Sequence, residues 1–564
     1  MRKKLVALLL ALTCLVSVLG GCSTGTETKT PTGTSAETDA PTAGTDAVEG
    51  TDGAEGNGEI AVDAFAGTTL TIAMSKNAAD LSEDFNDKLI FQLAEEATGI
   101  HIDWIPVDPE VQEERVNIML SSDMPDAFIK LLSEEQVGQE AESFYDLSEE
   151  GLLETYAPDV LAAYETVEGG LDMVRWSDGS IRSLVTGLAT DYNGEPGPMW
   201  VINKTWLDQL GLDVPETAEE FYNVLKAFKE NDMNGDGDAT DEIPATFCNA
   251  YWAGNFMNYA DAFGIPGYNQ YSYSHYFMVQ DGKVVPTVDT DNYRAFLEYF
   301  YKLGQEGLFD VEGFSQTTEQ AKAKIKEGHA GVFMTYTASS YLNDSTFYQP
   351  DDYVPMRPFQ GLEGVEPMKS GTKDRLAVDR TGFVVSADCE NVEALLHWWN
   401  YIHSSTELKM IAYNGEQGGN WDITDDGTFV KNPENKLLPE GMTGTQYDYT
   451  YAIVNWPPFI TKDELLVKLV PDDPNDQTLR VNNVTHVYDM MQDEYLPVRF
   501  TDPEKISERS FIEVDLFAYI ENFTALSVAN GVTDASWEQH LAQLEAYGYY
   551  DWIDWYQGFV DGEY

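Results

Sequence analysis

Basic residues are scarce in this chain: 33 lysines and arginines stand against 97 aspartates and glutamates, a formal charge of −64 over 564 residues. Such a surface repels nucleic acid and anionic lipid headgroups, and an acidic ligand would need a locally basic pocket. Nucleic-acid binding is set aside, and a neutral or cationic ligand is favoured, although acidity of this kind also serves solubility alone. Cysteine is scarcer still. Of the four, Cys14 and Cys22 lie at the extreme N-terminus, and only Cys248 and Cys389 remain for the body. Far apart in sequence, these two are expected as free thiols rather than a disulfide. With no CxxC and seven scattered histidines, a zinc site is not expected. The catalytic signatures GxSxG, HExxH and GxxxxGK and any Cys/His nucleophile pair are also missing. After Leu19 no apolar run is long enough to span a bilayer.

What is present begins at the N-terminus. Arg2, Lys3 and Lys4 precede an apolar run over residues 5–19, which stops at Leu19-Gly20-Gly21-Cys22. A positive start, a short apolar stretch and small residues make an export signal, and the cysteine straight after them resembles the bacterial lipoprotein signal. The expectation is removal of residues 1–21, a lipid such as palmitate on Cys22, and a body held outside the cell near a membrane. Residues 22–66 are almost entirely Thr, Gly, Ser, Asp, Glu, Ala and Pro, too poor in large apolar residues to repay chain ordering. They read as a disordered acidic tether that lets a globular body reach a membrane partner. The remaining chain of about 500 residues is long enough for two or three domains.

The body opens with a strand at residues 70–73, a helix near 85–97, a strand at 100–107, a helix at 113–120 and a buried strand ending at Ile129. This rhythm is that of a parallel sheet covered by helices, an α/β class. In open sheets of this kind ligands sit beyond the carboxyl ends of the strands, which directs attention to the loops after Ala73 and Ile129. Further on, Met199 to Leu207 runs from a strand into a short helix that stops near Gly211. Thr217 and Glu220 then form a capping-box pattern for a helix to about Lys229.

That helix delivers the chain into residues 232–242, where Asp232, Asn234 and Asp236 alternate ahead of Gly237, followed by Asp238, Asp241 and Glu242. Oxygen ligands at alternate positions with a glycine at the sharp turn suit calcium, which takes six or more oxygens at about 2.3–2.6 Å. The expected ligands are the side chains of Asp232, Asn234, Asp236, Asp241 and Glu242 and the backbone carbonyl of Asp238. Ile243 stands where an EF-hand has its terminal Glu, so Glu242 would act one residue early. Pro244 lets no helix leave in the usual way. The expected site is therefore single and structural.

From these residues the chain resembles the extracellular solute-binding lipoproteins of bacterial ABC transporters, in the sugar-binding family and its large Gram-positive subgroup with a calcium loop. The resemblance covers essentially the whole body. Its most specific part runs from Trp200 to Pro244, through NKTWLDQLGLDVPETAEEFYNVLKAFKE and DMNGDGDATDEIP, and SSDMPDAF from Ser121, YADAFGIPG from Tyr259 and NGEQGGNWDITDDGTFV from Asn414 agree in order. The loop departs by one extra residue between Gly237 and the Asp-Glu pair. The resemblance implies a periplasmic-binding-protein-like type II fold with two α/β lobes and a hinge. Residues 67–190 with 372–430 would form the first lobe, and 191–371 with 431–564 the second. It further implies a monomer anchored on the extracytoplasmic face of a Gram-positive membrane, handing its ligand to ABC permease subunits.

A sugar pocket needs flat aromatic faces and planar polar groups. The aromatic-rich loops therefore nominate Tyr251, Trp252, Phe256, Tyr336, Trp421 and Asp422 as ligand-binding residues, with Trp200, Trp456 and Lys76 behind them. Trp398 and Trp399, on a predicted helix, read as core and interlobe packing. The expected function is capture of a carbohydrate, an oligosaccharide first of all, and its delivery to a permease, with no catalysis. The alternative is a calcium-stabilised glycoside hydrolase on the cell surface, since paired carboxylates suffice for that chemistry. A cell-wall-binding lipoprotein ranks third, because it would lack the early strand-helix alternation.

Overall fold

The computed structural model describes residues 60–563 apart from 168, 189–193, 196, 268–275, 337, 343–344, 374–376, 433, 455–456, 462–463 and 465–486. Cys22, the signal, residues 22–59 of the expected tether and Trp456 lie outside the described residues; residues 60–66, expected as disordered tether, instead pack on the body, with Phe65 against Tyr156 and His397 and the His397 ring bonded to the Val62 carbonyl at 2.8 Å. Strands are numbered here in chain order. The first sheet has the order β2–β1–β3–β13–β4, built from β1 (Thr69–Ser75), β2 (His101–Val107), β3 (Ala127–Ile129), β4 (Ser183–Leu188) and β13 (Ala377–Val385). β1 runs parallel to β2 and β3, whereas β13 is antiparallel to β3 and β4. Parallel neighbours require crossover connections, and helices Leu89–Thr98 and Gln112–Leu120 supply them. The first buries Ile90, Phe91, Ala94 and Thr98, one face at helical spacing, and ends at Gly99 with φ 67°. A Cβ at Gly99 would also come within 2.6 Å of Ala66, so backbone conformation and space both demand glycine. The strand-helix alternation read from sequence holds.

The second sheet has the order β11–β6–β10–β7, from β6 (Met199–Asn203), β7 (Ile243–Thr246), β10 (Ala330–Thr335) and β11 (Tyr353–Met356). β10 is parallel to β7, and β6 is antiparallel to both β10 and β11. Every residue of β6 and β10 is buried, as befits strands covered on both faces. Helices Ala218–Lys229 and Asp291–Gln305 pack here through Phe221, Val224, Leu225 and Phe228, and through Tyr293, Phe296, Leu297, Phe300 and Leu303. Thr217 caps the former as expected, accepting the Glu220 N–H at 3.2 Å. The Glu220 carboxylate accepts the N–H of Glu216 at 2.9 Å, one residue upstream of where a capping box would place it.

A third, small sheet has the order β16–β12–β5, from β5 (Gly194–Glu195), β12 (Lys369–Lys373) and β16 (Met491–Gln492). β5 lies on the passage from β4 to β6, and β12 on the return from β11 to β13, so the crossing segments pair with one another. β12 is anchored by the buried ion pair of Lys369 with Asp261, 2.9 Å apart; Asp261 also accepts the Gly267 N–H at 2.7 Å. Two hairpins complete the strands: β8 (Phe277–Gln280) with β9 (Lys283–Pro286), and β14 (Trp421–Ile423) with β15 (Phe429–Lys431).

Two hydrophobic cores result. The first gathers apolar side chains between Leu70 and Val185 and between Phe383 and Phe429, and adds Ile453, Phe459, Phe500 and Ile506. It thus extends past the break expected at residue 430. The second lies between Trp200 and Phe359 and between Leu516 and Phe559. The 28-residue helix Pro503–Asn530 serves both, placing Ile506 in the first core and Leu516, Ile520 and Val528 in the second. Cys248 and Cys389 are free and buried, one in each core. Trp398 and Trp399 are both in the first core, with Trp399 stacked on Phe383 at 4.5 Å. No described helix is long and apolar enough to cross a membrane.

Candidate functional site

In the second sheet the parallel strands β7 and β10 end on the same side, and the aromatic candidates follow those ends. Beyond β7 the chain makes a tight turn in which the Cys248 N–H donates to the Gly254 carbonyl and the Tyr251 N–H to the Cys248 carbonyl, both at 3.0 Å. A Cβ at Gly254 would lie 2.7 Å from the Cys248 oxygen, so the turn closes only around glycine. It presents Tyr251 and Trp252, both half-buried. Tyr336 follows β10, also half-buried, with its ring 5.4 Å from that of Trp252. The Tyr251 ring lies 6.0 Å from Trp252, and its hydroxyl is held by Ser340 and Thr335 while burial raises its pKa. Three rings nominated from sequence therefore form one cluster at the strand ends.

At the carboxyl ends of β1 and β2 lies a cavity of about 270 Å³. Met74 and Ser75 of β1, Phe85, and Pro109 and Gln112 beyond β2 line it, together with Tyr449 and the segment from Ala452 to Val454. Its wall also holds a charged pair that the sequence reading missed. The Lys88 ammonium donates to Asp80 at 2.9 Å and to the carbonyls of Tyr449 at 2.6 Å and Thr450 at 3.0 Å. The other Asp80 oxygen accepts the Ser82 N–H at 2.9 Å and its hydroxyl at 2.6 Å. Side-chain exposures of 1% and 4% place the pair out of solvent. Burial lowers the Lys88 pKa and Asp80 opposes the shift. The available signal was a lone lysine directly before the apolar helix start Leu89-Ile90-Phe91. Lys76 lies beside this region, its ammonium on the Ser82 carbonyl and 5.8 Å from the centre of the Phe85 ring.

Three nominated aromatics are corrected to core residues. Trp200 is 1% exposed, donates its indole N–H to the Asn258 carbonyl at 3.1 Å and packs on Tyr259 and Phe359. Phe256 is ringed by Phe247, Phe296, Phe300, Phe309 and Phe314. Trp421 is fully buried, donates to the Gly415 carbonyl at 2.8 Å and stacks on Phe429 across the β14–β15 hairpin. In each case polar and apolar demands are met internally, leaving no face for a ligand. Asp422 accepts a hydrogen bond from the Gln417 side chain at 2.7 Å, from the turn that precedes the hairpin.

The acidic loop has the hydrogen bonding of a preformed cation site. Asp232 accepts the N–H groups of Gly235 and Gly237, Asn234 that of Asp236, and Asp236 that of Asp238. The Asp238 carboxylate instead caps Thr240, consistent with a role for its backbone carbonyl alone. One Glu242 oxygen accepts the Met233 N–H at 2.6 Å; its other oxygen and Oδ1 of Asp241 are buried without a hydrogen-bond partner. Burial raises the pKa of both groups, and nearby carboxylates add to it. Ligand atoms of Asp236, Asp241 and His329 lie within 4.8 Å of one another. His329, directly before β10, was not anticipated because it is distant in sequence. Unpartnered buried oxygens among convergent carboxylates fit a hard cation.

Residues 68–402 match the family described as bacterial extracellular solute-binding protein, over more than half of the chain. The chain belongs to that family. Among its solute-binding relatives, the fructooligosaccharide ABC transporter substrate-binding protein FusA of Streptococcus pneumoniae is 27% identical over 493 residues, 85% of this chain and 88% of FusA. The structure of FusA with kestose is similar at a TM-score of 0.74 and 26% identity, covering 88% of this chain and 99% of that one. A further FusA structure, of an EF-hand mutant with fructo-nystose, is similar to the same degree at 25% identity. The polygalacturonan/rhamnogalacturonan-binding protein YtcQ of Bacillus subtilis is 24% identical over 41% of this chain and 44% of YtcQ. The type II periplasmic-binding-protein-like fold expected from sequence is therefore the fold of this solute-binding protein, with two α/β cores joined by crossing segments.

Proposed function

We propose that this solute-binding protein captures an oligosaccharide between its two lobes and delivers it to the permease of an ABC transporter. The observation that carries the reading is the aromatic cluster of Tyr251, Trp252 and Tyr336 beyond β7 and β10. Exposed ring faces are what the C–H surface of a sugar packs on, and strand carboxyl ends are where α/β sheets bind ligands. Likeness to FusA along most of both chains supports a sugar as ligand. The first-lobe cavity, below the usual span of about 300–1,000 Å³ for small-molecule sites, would take one sugar unit while the cluster holds its neighbours. Ligand drives lobe closure only through its greater affinity for the closed state. Lipid on Cys22 and the chain from there to residue 59 as tether would keep this monomer at the outer face of a Gram-positive membrane, within reach of its permease.

The acidic loop would hold calcium through Asp232, Asn234, Asp236, Asp241 and Glu242 and the carbonyl of Asp238. Such an ion would neutralise buried carboxylates and pin the chain between helix Ala218–Lys229 and β7. Calorimetry with fructo-, gluco- and galacto-oligosaccharides, followed by chromatography of the sugar, tests the central reading. Saturable binding with the sugar recovered intact supports it; absence of binding, or hydrolysis, overturns it.

A further inference from the structure

The named ligands of relatives include both an uncharged fructooligosaccharide and an acidic polygalacturonan, so family membership leaves ligand charge open. The first-lobe cavity bears on it. Lys88 is the one cation among the described residues lining the cavity, and its three N–H bonds are all taken, by Asp80 and the carbonyls of Tyr449 and Thr450. Asp80 cancels its charge at 2.9 Å. The remaining polar lining, Ser75, Asn77, Gln112 and Tyr449, offers no cation, and Met74, Phe85, Pro109, Ala452, Ile453 and Val454 are apolar. Among the described lining residues a carboxylate entering this space would lose water and find no free cation, with the Asp80 carboxylate in the wall. Buried charge without a partner is strongly disfavoured.

We infer that the first-lobe cavity admits an uncharged sugar unit and rejects a uronate, making this a receptor for neutral oligosaccharides. The inference rests on the oligosaccharide-receptor reading. Lys88 is then a positioning residue: it ties the Asp80 loop to the 449–450 backbone and shapes the cavity without offering its charge to ligand. The formal charge of −64 acts in the same direction at long range, but salt screens that effect, and a local origin survives it. Among the described residues Lys76, with its ammonium on the Ser82 carbonyl and near the Phe85 ring, is a rival source of positive charge.

The test uses the lipid-free mature chain, with kestose, maltotriose, cellotriose and trigalacturonate as probes in calorimetry at 0.1 and 0.5 M NaCl. The neutral trisaccharide that binds best is then compared with its own form oxidised at the primary hydroxyls to carboxylates. The acidic form should bind on the order of 100-fold more weakly at both salt concentrations, the size expected from desolvating one group that gains no partner. Gln112→Lys, which adds a cation to the half-buried lining, should narrow the acidic-to-neutral affinity ratio about tenfold, read within the variant itself. Lys76→Met should leave the ratio unchanged. Equal or tighter binding of the acidic form, a ratio that vanishes in salt, no response to Gln112→Lys, or a ratio set by Lys76→Met each overturns the inference while leaving sugar binding intact. If no probe of either class binds, the receptor reading itself falls and takes the inference with it.

Discussion

The two sets of strand ends solve different problems with different residues. Beyond β1 and β2 the chain buries an ion pair whose every donor is used, and the cavity beside it is shaped by that pair. Beyond β7 and β10 it leaves three aromatic rings half-covered, with no ionised group in the cluster. The contrast teaches that polarity near a binding region need not be recognition. The Lys88–Asp80 pair is expected to act on the fold, and the Tyr251–Trp252–Tyr336 cluster on affinity.

The sharpest way to break this contrast is Lys88→Met, which keeps the length of the side chain and strands Asp80 without its partner. Removing one member of a buried pair costs about 3–5 kcal/mol, read as a shift of the urea midpoint. A midpoint lowered by less than about 1 kcal/mol in free energy, at this site of little solvent access, would mean the pair is not structural. The loss is typical of a stranded buried charge. Trp421→Ala belongs beside it. With its ring stacked on Phe429 and fully buried, truncation should lower stability by about 3–5 kcal/mol, while the folded fraction binds sugar with unchanged affinity.

Calcium sharpens the second side of the comparison, because residues 232–242 lead directly into β7. If the ion binds only the folded chain, then at a concentration 100 times Kd it contributes about 2.7 kcal/mol. Chelation should lower Tm accordingly, and Asp241→Asn should both lower the starting Tm and blunt the response to chelator. A chelator-insensitive Tm would remove the site. Next in size is Trp252→Ala, expected to weaken oligosaccharide binding about tenfold to a hundredfold, about 1.4–2.7 kcal/mol. Because the ring is only half-buried, Tm should fall little. A large fall in Tm with unaltered affinity would invert the contrast between the two lobes.

What sequence could reveal follows from how local each feature is. The first three strands with their two helices are written in short-range periodicity, and the acidic loop in an uninterrupted run from Asp232 to Glu242. Tyr251, Trp252 and Tyr336 were legible as aromatics after buried strands. Trp200, Phe256 and Trp421 carry the same local signal, and only their packing partners, as distant in sequence as Phe359 is from Trp200, decide that they are core. Lys88 and His329 were invisible for the same reason, since Asp80 and Tyr449 on one side and Asp241 on the other become neighbours only through the fold. The helix Pro503–Asn530 was not read from sequence, and nothing in its periodicity says that Ile506 and Leu516 serve different cores.

The smallest effect compares the two cores through one buried histidine in each. His403 Nδ1 bonds the Trp399 carbonyl at 2.9 Å, and its Nε2 accepts the Phe459 N–H at 3.1 Å. That arrangement requires the neutral ring with its proton on Nδ1. Burial first, and Lys409 second, push its pKa down to about 3. In the second core burial lowers His540 to about 4. An unfolded histidine titrates near 6.5, so on acidification the unfolded chain takes up a proton that the folded chain refuses. The stability associated with His403 is therefore complete above about pH 6.5 and is lost as pH falls toward 3. Between pH 7 and 6 that loss is about 0.7 kcal/mol per histidine. His403→Gln should be less stable than the parent at pH 7, and the gap should narrow by that amount at pH 6, measured as urea midpoints with calcium present throughout. A gap independent of pH would mean that His403 takes up a proton in the folded core as readily as in the unfolded chain, in conflict with its acceptance of the Phe459 N–H.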